Sequence, residues 1–138
     1  MKDILDFFAR LCIATIFLYE AYDSIAFGKL TKEKMTEVGI TWNQDTLFIG
    51  AVTFLVVGAI FLVIGYRAKF AAFLLILYWV PMTFYAHSFW NDPEDIRRIQ
   101  SIFFMRNIAV AGGLLMIVAH GSGKYSVRRL LDNRRIKE

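Results

Sequence analysis

Five polar side chains stand inside or at the edge of otherwise apolar stretches, and their types and spacing define the chemistry open to this chain. Glu20 and Asp23 lie three residues apart, so a helix carries both on one face. His87 closes a later apolar run, and Arg106 and Asn107 stand about one turn inside the last one. Carboxylates, an imidazole and a guanidinium gathered at one depth can pair charges, hold a polar ligand or move protons. Charges at membrane depth are costly unless they face protein, water or one another, so Arg106 is expected to pair with Glu20, Asp23 or both. The same ions can instead fix helix register in a small bundle. Tyr19, Tyr22, Tyr85 and Trp90 flank these positions and read either as an interfacial aromatic belt or as walls of a pocket around the cluster.

Other chemistry is poorly supplied. Cys12 is the only cysteine, which excludes an internal disulfide and a multi-cysteine metal site. The second histidine, His120, falls at the far end of the helix that begins near Arg106, so two-histidine ligation of zinc or haem is disfavoured and no metal site is expected. No glycine-rich phosphate loop, nucleophile elbow or HExxH pattern occurs.

The elements that must position the cluster follow from hydropathy. Hydrophobic residues make up 57% of the 138 and charged residues 20%, a balance that points to a membrane protein, read as a single domain over 1–138. Helices are expected at about 4–27, 46–65, 68–87 and 102–120. The stretch 46–65 carries no charge, and its 20 residues at a rise of ~1.5 Å span roughly 30 Å of hydrocarbon. The first stretch is interrupted by Asp6, Arg10, Glu20 and Asp23 and is not read as a cleavable signal peptide. Short connections make successive helices antiparallel, giving an all-α, four-transmembrane-helix bundle.

Nine loop and tail Lys and Arg residues fall on the terminal face, against five (Lys29, Lys32, Lys34, Arg97 and Arg98) on the other. This asymmetry places both termini in the cytoplasm and the polar cluster in the outer leaflet of a multi-pass membrane protein. The net charge of +4 is therefore read as a topology signal, with the lipid bilayer as partner and no nucleic acid. A basic tail over 121–138 sets Val127, Leu130 and Leu131 at helical spacing among arginines, an amphipathic segment suited to an anionic inner leaflet. Ala109 and Gly113 follow Arg106 on one side of the last helix and allow close approach of another helix.

Taken in order, several features resemble the DoxX family of small four-helix membrane proteins. They are Arg10, the loop through Gly39 and Trp42, Gly58 and Gly65 with Tyr66-Arg67, His87-Ser88-Phe89-Trp90, the run from Arg106 to Leu115, and Gly121 to Ser126. The resemblance implies a multi-pass protein of the cell inner membrane, a membrane subunit of a quinone-linked redox assembly in which Glu20, Asp23, His87, Arg106 and Asn107 cradle a quinone head group. No intrinsic cofactor is implied by the residues themselves. The alternative is a non-enzymatic scaffold or accessory subunit whose ion cluster is structural and which docks partner subunits or further copies of itself. The residues alone leave open whether the chain is an enzyme.

Overall fold

The computed structural model describes residues 2–121 together with Gly123 and Ser126, and every regular element among them is helical. The helices are α1 (Lys2–Ala26), α2 (Gly28–Glu37), α3 (Gln44–Ile64), α4 (Ala68–Ala86) and α5 (Glu94–His120), with a 3-10 turn at Phe89–Asn91 before α5. The expected amphipathic tail lies outside the described residues apart from Gly121, Gly123 and Ser126.

Helix ends follow local chemistry. In α3, Asp45 sits in the first turn, where the helix dipole favours a negative charge, and Gly65 stops the helix in the left-handed region at φ 69°. α5 begins at Glu94 rather than 102, because Pro93 leads into a first turn that carries Glu94 and Asp95. Apolarity begins at Ile102, but the helix itself starts two turns earlier in polar sequence. The segment expected as a loop after the first helix contains α2, a polar helix with no buried residue.

Buried positions fall on helical stripes. α1 buries Arg10, Ala14, Phe17 and Ala21, and α3 buries Leu55, Ala59 and Leu62. α4 buries Ala68, Ala71, Ala72, Leu75, Trp79 and Thr83, and α5 buries Phe104, Asn107, Ala111, Leu114 and Ile117. Alanines at the contacts bring backbones close, which is how helices associate when lipid tails are as apolar as the core. Large apolar side chains such as Leu11, Ile49, Phe70, Leu77 and Leu115 point outward.

α3, α4 extended through the 3-10 turn, and α5 are each long and apolar enough to cross a membrane. With so much outward-facing apolar surface, this is a multi-pass membrane protein in a lipid environment. α1 falls outside that group because its charges interrupt every long apolar window.

The most extensive pairings are α1 with α3 and α4 with α5; α3 joins α4, and α1 meets α5 only sparsely. Arg10 near the start of α1 reaches Leu62 near the end of α3, so those two helices run antiparallel. Lys69 reaches Ala119 while His87 reaches Gln100, which sets α4 antiparallel to α5. One end of the bundle therefore carries α2 and the α4–α5 connection, and the other carries the first turns of α1.

Candidate functional site

At the α2 end, α1 presents Glu20 and Asp23, both half-buried, one turn apart. Glu20 lies within electrostatic reach of Asp23, of Lys34 on α2, of His87 at the end of α4 and of Arg106 on α5. Tyr78 of α4 lies within reach of Glu20 as well. Four of the five sequence-predicted residues thus share one neighbourhood drawn from three helices, and Lys34 and Tyr78 join it. Lys34 escaped the sequence reading because it sits on α2, which was expected as loop. Tyr78 lies inside an apolar run with nothing to distinguish it from packing.

The fifth residue, Asn107, faces the core. It is 5% exposed, its backbone oxygen accepts a hydrogen bond from the Trp79 indole at 3.2 Å, and its Oδ1 is sealed from solvent with no hydrogen-bond partner. Adjacent helical positions point about 100° apart, so Arg106 cannot face the core when Asn107 does. Arg106 is exposed, and its guanidinium stacks 5.1 Å from the centroid of the Phe103 ring. The expected close pairing of Arg106 with Glu20 or Asp23 is not formed. The ion pair seen among the described residues is Lys32–Asp45, which ties α2 to α3. Helical side chains lean toward the helix N-terminus, which carries the Arg106 guanidinium up to Phe103 and toward the α2 end.

His87 contacts α5 twice. Its Nδ1 lies 2.7 Å from Gln100 Oε1, and its ring packs 5.6 Å from Phe103. An amide oxygen only accepts, so Nδ1 carries the proton in this contact and Nε2 remains for another partner. Phe84, Phe89, Trp90 and Phe104 form an aromatic cluster, edge-on in all its pairs but the tilted Phe84–Trp90, that fastens the 3-10 turn to α4 and α5. Tyr19 and Tyr22 lie 6.3 Å apart on the surface, Tyr85 is likewise largely exposed, and Trp90 is half exposed. Among the described residues no group of three or more His, Cys, Asp and Glu gathers as a metal site.

Two cations reach helix-terminal carbonyls at the opposite end. Arg10, 1% exposed, donates from Nη1 to the carbonyls of Leu62 at 2.8 Å and Val63 at 3.1 Å, the last turn of α3. Lys69 Nζ donates to Ala119 O at 3.0 Å, the last turn of α5. Both helices thus have terminal carbonyls, which lack intrahelical partners, satisfied by a cation from a neighbour.

Comparison with known proteins bears on the whole chain. The family described as the SURF4 family matches residues 43–132, well over half of the sequence. The chain is similar to the Surfeit locus protein 4 homolog of Schizosaccharomyces pombe, 35% identical over 102 residues, 72% of this chain and 32% of that protein. It is similar to the inner membrane protein YphA of Escherichia coli, 26% identical over 128 residues, 93% of this chain and 91% of that protein. It is also similar to the ER-derived vesicles protein ERV29 of Saccharomyces cerevisiae, 33% identical over 75 residues, 52% of this chain and 23% of that protein. This chain therefore spans a third or less of the length of the two yeast relatives. No solved structure matches.

The chain belongs to the SURF4 family. That assignment overturns the DoxX resemblance and with it the quinone-linked oxidoreductase subunit that the resemblance implied. The physical reason lies in the residues that carried it. Arg10 caps α3, Gly65 ends α3, and Gly58 admits Leu75, whose Cδ2 lies 2.8 Å from where a Cβ would stand. These are packing devices that any small helix bundle needs, so they do not single out one family.

Proposed function

We propose that this SURF4-family chain is a non-enzymatic membrane scaffold or accessory subunit rather than a catalyst. The observation that supports it is how polar side chains at the helix contacts are used. Arg10 and Lys69 bond to helix-terminal carbonyls, and Trp79 bonds to the Asn107 carbonyl. Each joins one helix to the backbone of another, which gives a rigid body with a lipid-facing exterior. Glu20, Asp23, His87 and Arg106 at the α2 end are the candidate contact point for a ligand or partner, with Asn107 behind them as a structural residue.

The finer topology belongs to the same reading. α1, at 25 residues, covers about 37 Å and serves as a fourth crossing antiparallel to α3, with both termini in the cytoplasm. The cytoplasmic membrane is the proposed location. YphA, which this chain covers almost end to end, carries the name of an inner membrane protein.

The test is native electrophoresis of membranes solubilised in mild detergent. A scaffold migrates in an assembly well above its own 15.9 kDa plus detergent, and site-specific crosslinking from the α2 end identifies the neighbour. Migration as a bare monomer, under conditions that preserve other membrane complexes, overturns the reading.

A further inference from the structure

The helices pair in the order α1–α3–α4–α5, and the seam that closes the ring, between α1 and α5, is the sparsest of the four. The two helices touch where Ile13 fills the space beside Gly113, its Cδ1 2.9 Å from where a Cβ would stand. One turn nearer the α2 end, Ile16 and Val110 are only partly buried. About 10 Å from the Ile13–Gly113 contact, the seam reaches Glu20 and Arg106. It is thus apolar along its length and charged at its mouth.

The mouth carries both signs. Half-buried Glu20 and Asp23 stand on the α1 side, while exposed Arg106 and Lys34 stand beside them on α5 and α2. None of these four forms an ion pair among the described residues, and Arg106 rests on the Phe103 ring, leaving guanidinium N–H groups for an anion. A purely anionic or cationic guest leaves one pair of charges uncompensated at the membrane boundary, whereas a zwitterion matches both.

We propose that the α1–α5 seam binds one phospholipid with a zwitterionic, primary-ammonium head group. The phosphate lies at Arg106 with Lys34, the ammonium lies at Glu20 and Asp23, and an acyl chain runs along Ile16 and Val110 toward Ile13. Two carboxylates select a primary ammonium because it donates N–H hydrogen bonds that a quaternary one lacks. The inference rests on reading the α2-end cluster as a binding site and does not depend on the scaffold assignment.

Native mass spectrometry of the full chain in detergent, titrated with phosphatidylethanolamine, phosphatidylcholine and phosphatidylglycerol of identical acyl chains, tests it. One phosphatidylethanolamine is expected to bind at least tenfold more tightly than either of the others. Arg106→Ala is expected to remove that preference, Arg106→Lys to keep part of it, and Glu20→Gln to shift it toward phosphatidylglycerol. Equal binding of the three lipids, preference for phosphatidylcholine or phosphatidylglycerol in the unsubstituted chain, or an unchanged preference in Arg106→Ala overturns the proposal. Because Arg106 is exposed, its variants are expected to melt like the parent, so lost binding is separable from lost folding. Migration of the unsubstituted chain in an assembly on native gels, whichever lipid it prefers, separates a failed lipid site from a failed scaffold.

Discussion

Arg10 shows how one residue can hold a membrane bundle together. It is buried, it bonds to two carbonyls at the end of α3, and Gly65 leaves it room. A Cβ at Gly65 would stand 2.6 Å from Arg10 Nη1 and 2.6 Å from Ser126 Cβ, on a backbone at φ 69°. Arg10→Ala forfeits charge-assisted bonds to buried carbonyls and is expected to cost about 3 kcal/mol, read as a fall in Tm of the detergent-solubilised protein. Gly65→Ala is expected to lower Tm too, through the clash and the left-handed backbone. A melt unchanged in both variants removes the lock. Asn107 runs the other way. Its buried Oδ1 has no partner, so Asn107→Leu, of similar size, is expected to hold or raise Tm; a sharp fall would mean the amide is bonded after all. The sequence marks Arg10 as a charge in the first stretch, and its place in the core is legible too: with Ala14, Phe17 and Ala21 it keeps the 4-3-4 spacing of one helical face. The neighbourhood of Glu20, Asp23, His87 and Arg106 could be read from depth alone. What could not be read is which of two neighbours, Arg106 or Asn107, turns inward, because that depends on how α5 rolls against α4.

Among the elements, the apolar runs marked α3 and α4 within a few residues, since an uncharged stretch of that length in lipid has to close its own backbone hydrogen bonds. The polar helices are what hydropathy misses. α2 is held from outside itself: Gln44 Nε2 donates to Thr36 Oγ1 at 2.7 Å, and Lys32 pairs with Asp45. None of those partners is adjacent in sequence, so local propensity gave little warning. Gln44→Ala is therefore expected to release α2 locally. Hydrogen exchange of amides in 28–37 should speed up several-fold, while the global melt moves by no more than about 1 kcal/mol, the worth of exposed side-chain bonds. Protection unchanged in that segment would show that α2 is held by other contacts.

For the whole molecule, sequence sufficed for an all-helical membrane protein, while composition and helix order were too generic to identify its family. The open quantity is how many times the chain crosses, and it turns on α1. Its Glu20 and Asp23 weaken it as an isolated span, yet α1 buries Phe17 against Trp79, ring centroids 4.9 Å apart, and lies along α3. A charged helix that gains such partners can cross where an isolated one cannot, because its polar face turns to protein. If α1 crosses, α2 and the 3-10 turn share one side, and the Tyr66–Arg67 turn lies on the other. With Cys12 replaced by Ser, single cysteines at Glu37, Arg67 and Asp92 report the arrangement to a membrane-impermeant maleimide on intact cells. Glu37→Cys and Asp92→Cys are expected to label, while Arg67→Cys labels only after permeabilisation. To cover α1 itself, a cysteine at Asp3 should behave like Arg67→Cys. Labelling of Asp3→Cys from outside, with Arg67→Cys still protected, would reduce the bundle to three crossings and leave α1 lying along the outer surface, where its pairing with α3 through Arg10 and Leu62 could not be kept at membrane depth.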